Sequence, residues 1–87
     1  MVSKNFVIKN KSGLHVRPAG VLVKTIQPFS CHVTLKHNSK EFNAKSVLGI
    51  MSACIKYDEE ITMICDGADE EACMAAIAKG IEEGLGE

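Results

Sequence analysis

The 87 residues carry no excess of charge of either sign: 10 lysines and arginines stand against 11 aspartates and glutamates, a formal net charge of −1. A non-specific nucleic-acid binder would show a basic surplus, so that class is disfavoured. No apolar run approaches the ~20 residues that span a bilayer. Met1-Val2-Ser3-Lys4-Asn5 also lacks the apolar stretch of a signal peptide. No membrane insertion and a cytoplasmic location are therefore expected. Internal repeats, low-complexity tracts and linkers are missing too. What is left is an ordinary globular composition, 46% hydrophobic and 24% charged, at a length that suits a single domain over residues 1–87 with one core.

Cysteine is present but unpatterned. Cys31, Cys54, Cys65 and Cys73 form no C-x-x-C pair and have no histidine at ligand spacing, so no metal site is expected. Two disulfides would suit an exported domain, which the N-terminal residues do not suggest. Each cysteine has apolar neighbours, and buried free thiols are the expectation. Asp58-Glu59-Glu60 and Asp69-Glu70-Glu71 read as a turn and a helix start, not as ligands for an ion. No cofactor is expected.

Periodicity gives the elements. Phe6-Val7-Ile8 is short and β-rich, a strand closing near Asn10. Val16, Ala19, Leu22, Val23 and Ile26 recur at three- and four-residue spacing, predicting an amphipathic helix to Gln27, with Pro18 in its first turn and Pro28 as its stop. Cys31, Val33 and Leu35 alternate with polar residues in a half-buried strand, and Glu41-Phe42-Asn43-Ala44 returns as its partner. His32 on the polar strand face and His37 in the turn read as solvated.

Ser46 precedes a short helix over Val47–Met51 as its N-cap. Ile61, Met63 and Cys65 alternate in a fourth strand. Asp69 is expected to cap a last helix whose first turn holds Glu70 and Glu71, and Gly84 and Gly86 predict a fraying tail. The order is βαββαβα. A right-handed crossover makes the first two long strands parallel and leaves room for the fourth between them. The expected architecture is α+β: an open-faced β-sandwich, a four-stranded antiparallel sheet covered on one face by helices.

His15 stands immediately before the first helix, and Arg17, the sole arginine, two positions later. The unpaired N–H groups at a helix N-terminus make an anion site. A neutral imidazole there is a nucleophile, and a phosphoryl group placed on it would meet the helix donors and the Arg17 guanidinium. No aspartate or glutamate lies in this helix or before it, so no general base is visible locally. Such a site holds a phosphoryl group more readily than it hydrolyses one. The plain alternative is a histidine at a helix start beside a solvated arginine.

Gly13-Leu14-His15-Val16-Arg17-Pro18-Ala19 closely resembles the active-site signature of HPr, the histidine-containing phosphocarrier family of the sugar phosphotransferase system. The family's usual alanine after the histidine is replaced by Val16. Lys45-Ser46-Val47-Leu48-Gly49-Ile50-Met51-Ser52 is similar to the regulatory serine segment of the Gram-positive type. The resemblance runs from residue 1 to 87 and includes Gly67-Ala68-Asp69-Glu70. It implies a phosphoryl carrier and not an enzyme: His15 takes the group on Nδ1 from phosphorylated enzyme I, Arg17 assists, and sugar-specific enzyme IIA receives it. It further implies that HPr kinase/phosphorylase modifies Ser46, which slows the relay and creates affinity for catabolite control protein A.

Val47, Leu48 and Met51 lie on one side of the short helix and suit a small transient docking patch. Val16, Gly20 and Lys24 of the first helix complete the candidate partner-binding residues, and a monomer is expected. Gly20 sits inside that helix at a cost of ~1 kcal/mol relative to alanine. Two other readings stay open: a regulatory-only relative, which would keep Ser46 but replace the histidine, and a ligand-binding module of similar topology.

Overall fold

A computed structural model describes all 87 residues. Strand β1 (Val2–Val7) is followed by helix α1 (Val16–Ile26), strands β2 (His32–His37) and β3 (Lys40–Asn43), helix α2 (Val47–Ser52), strand β4 (Glu60–Asp66) and helix α3 (Glu70–Glu82). The sheet order is β1-β4-β2-β3, and every neighbouring pair is antiparallel. Because β1 and β2 both run antiparallel to β4, they are parallel to each other with β4 between them, as the crossover argument requires.

Alternation sets the faces. Ile61, Met63 and Cys65 of β4 and Val33 and Leu35 of β2 are buried, while the residues between them turn to the other face. Ala19, Leu22, Val23 and Ile26 of α1 and Cys73, Met74 and Ile77 of α3 close over that inner face. Leu22, Ile26, Leu35, Ile61 and Ile77 are almost wholly removed from water, each worth roughly 1.5–3 kcal/mol. α1 packs against both α3 and α2. The outer face of the sheet is uncovered by helices, giving the open-faced sandwich.

Several local expectations are corrected. β1 begins at Val2, well before Phe6, because β4 supplies a ladder from Val2↔Cys65 to Val7↔Glu60 that an exposed Ser3-Lys4-Asn5 stretch does not advertise. His37 is not solvated: it ends β2 on the inner face, 6% exposed, and its Nδ1 donates to the Ala53 carbonyl at 3.1 Å. Cys54 is exposed, in a left-handed turn after α2 (φ +53°), while the other three cysteines are buried.

Asp69 occupies the N-cap position of α3 but makes no capping bond. Its carboxylate accepts instead from the backbone N–H groups of Ser30 at 2.8 Å and Cys31 at 3.0 Å, tying the start of α3 to the start of β2. The Ser30 N–H, first among these bonds, holds the Asp69 carboxyl below its ordinary range.

The residues after α3 do not fray. Gly84 takes φ +84°, its N–H donates to the Ile81 carbonyl at 3.1 Å, and the Leu85 N–H reaches back to the Gly80 carbonyl at 3.0 Å. This paired 5→2 and 6→1 bonding is the Schellman helix stop, with a glycine where the backbone turns left-handed. Leu85 folds over Gly80 and is 1% exposed. A further turn, from the Glu87 N–H to the Gly84 carbonyl at 3.0 Å, brings residue 87 back toward the loop before α1.

Candidate functional site

The loop before α1 is fixed from both sides. Gly13 has φ +72°, and a side chain there would drive into the Ile55 carbonyl and the Lys56 backbone. Only glycine lets the loop lie this close, and the Leu14 N–H uses the approach to donate to the Ile55 carbonyl at 3.0 Å. Leu14 is buried beside it. His15, next in line, has extended backbone angles (φ −78°, ψ −171°) and is the N-cap of α1 without a capping side-chain bond. Its carbonyl accepts from the Ala19 N–H at 3.0 Å, which starts the helix. The imidazole is thus free to face outward, 36% exposed.

The imidazole is not alone. Its Nε2 lies 2.8 Å from Oε2 of Glu87. The other Glu87 oxygen accepts from Nδ2 of Asn10 at 2.9 Å, and the same Asn10 amide donates to the Gly84 carbonyl at 2.9 Å. Asn10, 8% exposed, therefore joins the loop before α1 to the turn after α3. Its amide is the main cause holding the Glu87 carboxyl below the ordinary carboxylate range, and His15 and Arg17 add to it. An ionised carboxylate only accepts, so Nε2 of the neutral ring carries the hydrogen and donates it. The lone pair is left on Nδ1.

At its N-terminus α1 offers few free donors. Pro18 has no N–H and the Ala19 N–H is taken by His15 itself, leaving those of Val16 and Arg17 as the free donors of the first turn. Arg17 is exposed and follows on the same turn. The arrangement is a nucleophilic nitrogen with its opposite side anchored, on the residue that starts a helix, with the charge of Arg17 felt at the anchoring Glu87: chemistry suited to receiving an anionic electrophile.

Two comparisons bear on this geometry. The family whose members are described as the PTS HPr component phosphorylation site matches residues 2–83. The chain belongs to the HPr family. Among solved structures it is similar to HPr of Thermoanaerobacter tengcongensis, at 38% identity over 100% of this chain and 98% of that one, TM-score 0.95. It is similar to the histidine-containing phosphocarrier protein of Mycoplasma, at 38% identity over 97% of each chain, TM-score 0.90. A third likeness is to the catabolite repression protein Crh of Bacillus subtilis, a domain-swapped dimer, at 33% identity over 97% of each chain, TM-score 0.77. HPr proteins are phosphocarriers.

In this HPr-family chain the other candidate residues separate into groups. Ser46 is half-buried at the N-cap of α2, its Oγ accepting from the Gly49 N–H at 3.1 Å. Val16 and Leu48 are 60% and 72% exposed and Met51 is also exposed, large apolar side chains left in water on adjoining helices. Val47 is only half-buried against the core. Lys24 is exposed in the last turn of α1, and a side chain at Gly20 would meet nothing within 4 Å. The local absence of an acid near His15 is made good from 72 positions away by Glu87, which Asn10 holds in place. Neither bears a motif; the only hint is a pair of glycines, Gly84 and Gly86, placed to reverse the chain just before an acid.

Proposed function

We propose that this HPr-family chain, acting as one unit over residues 1–87, is the phosphoryl relay of the sugar phosphotransferase system, and that His15 carries the group. The observation that supports it most is the Nε2–Glu87 bond, which leaves the Nδ1 lone pair as the nucleophile. Nδ1 attacks the phosphorus carried by enzyme I; the new N–P bond forms as the bond to enzyme I breaks. With the Nε2 hydrogen retained, the phosphorylated ring is cationic, and the Glu87 carboxylate faces that charge. The Val16 and Arg17 N–H groups and the Arg17 guanidinium meet the phosphoryl oxygens. Transfer onward to enzyme IIA reverses these steps, so the chain is a covalent carrier and not an enzyme. It works in the cytoplasm and needs no cofactor.

Val16, Gly20, Lys24, Val47, Leu48 and Met51 form the docking face for these partners. Ser46 is the regulatory position. Phosphate on it by HPr kinase/phosphorylase adds about two negative charges to that face, slowing relay and favouring catabolite control protein A. The likeness to Crh gives a second role, regulation alone, some weight; the presence of His15 favours the relay. We take the working form as a monomer, with a swapped dimer, as in Crh, the alternative that sedimentation distinguishes.

Phosphoenolpyruvate and the organism's own enzyme I test the proposal. An acid-labile phosphoryl group should map to the peptide carrying His15 and be absent from His15→Ala. No labelling, with that enzyme I proven active, overturns it.

A further inference from the structure

Three cysteines from three parts of the chain meet in the core. Cys31 precedes β2, Cys65 lies on the inner face of β4 and Cys73 on α3, with all three sulfurs within 4.8 Å of one another. None is in a disulfide and none is more than 2% exposed. No histidine or carboxylate joins the group. Asp69 is the nearby acid, and both its oxygens are engaged, by the N–H groups of Ser30 and Cys31. A disulfide would use two sulfurs and strand the third.

We propose that Cys31, Cys65 and Cys73 form a binding site for a trivalent thiophilic ion, with arsenic(III) as its representative. Sulfur donors select soft ions. The number of donors excludes the four-coordinate arrangement that structural zinc takes, and suits a three-coordinate pyramidal centre. Three bonds to one centre would draw the sulfurs closer together than the 4.8 Å within which they already lie.

Charge decides among soft ions. Cys31, Cys65 and Cys73 sit within the apolar core, almost wholly removed from water, so this pocket resists net negative charge. Three thiolates around a monovalent or divalent ion leave such a charge in an apolar core. Around a trivalent ion they leave none. Arsenous acid also arrives neutral: three arsenic–sulfur bonds form, three arsenic–oxygen bonds break, and each hydroxide departs with one thiol proton as water. The oxidation state of arsenic is unchanged and no other reactant is needed. The bound ion would staple α3 to β4 and to the start of β2.

The reduced protein with arsenite is the test, read by native mass spectrometry and arsenic-edge X-ray absorption. One arsenic per chain with three sulfur neighbours is expected, together with an unfolding midpoint that rises with arsenite concentration. Cys54→Ser should bind as the parent does, whereas Cys73→Ala should bind about a hundredfold more weakly or worse. Should Cys73→Ala fail to fold, the absorption spectrum of the parent decides alone, since a shell of two sulfurs and one oxygen overturns the site. Uptake of zinc or cadmium with arsenite excluded overturns the trivalent preference. Air oxidation to a core disulfide in a protein that takes up no arsenic overturns the proposal as a whole.

Discussion

Glu87 and His15, 72 positions apart in sequence, face each other at 2.8 Å, carboxylate oxygen to Nε2. The contact does for the imidazole what a local acid would otherwise do: it fixes the ring and chooses which nitrogen bears the hydrogen. Glu87→Gln presents an amide to the same nitrogen and loses the charge that balances a phosphorylated ring. Phosphorylation of His15 should slow by about tenfold. Nitrogen NMR of the neutral ring should show the Nε2–H tautomer in the parent and a mixture in Glu87→Ala. An unchanged tautomer would leave Glu87 without a role.

The same pair predicts a pH dependence. The Glu87 carboxyl is held below its ordinary value of 4.5, chiefly by Asn10. A group lowered on folding adds stability above its unfolded value, and loses it as pH falls through the lower folded one. The melting temperatures of the parent and Glu87→Gln should therefore differ at neutral pH and converge on acidification below that range.

Leu85→Ala should cost about 2–5 kcal/mol, as for other buried leucines. It should also raise amide exchange at residue 87 and loosen His15, because Leu85 anchors the turn that carries Glu87. Hydrogen exchange separates this from a general loss of stability, which would spread across the sheet.

At Ser46, substitution divides structure from regulation. Ser46→Ala removes the bond to the Gly49 N–H and should cost about 1 kcal/mol. Ser46→Asp keeps an oxygen for the cap and should melt near the parent, yet slow transfer from enzyme I through its added charge. Equal transfer rates in the two variants would leave Ser46 a cap and nothing more.

Gly20→Ala should raise stability by about 0.5–1 kcal/mol, since open space surrounds the position and its backbone is helical. Any accompanying change in the rate with enzyme I or enzyme IIA would assign Gly20 to the docking face.

The elements were legible because their signals are short-range. The 3.6-residue spacing of Ala19, Leu22, Val23 and Ile26, the alternation of Ile61, Met63 and Cys65, and the serine before Val47 each act within a turn or two of their own position. Gly13 to Arg17 could be recognised as a unit for the same reason. His37 was misplaced because a histidine beside a turn carries no sign of the Ala53 carbonyl that receives it. Asp69 looked like a helix cap, but Ser30 and Cys31, just before β2, lie near enough to claim its oxygens first. Glu87 was invisible for a related cause: two glycines predict mobility unless a leucine between them has a core to enter, and Leu85 does.

The position of β4 governs the timing of assembly. β1 and β2 each find a partner in β4, although roughly half the chain separates the earliest strand from it. Until residues 60–66 leave the ribosome, β1 has no neighbour and β2 has only the short β3. The loop bearing His15 waits longer still, since Ile55 and Glu87 must both arrive to hold it. Such non-local pairings slow folding relative to a helical bundle of the same length. They also make the anchoring of the His15 ring wait for Glu87, so a chain stopped short of that residue leaves the imidazole without its carboxylate partner.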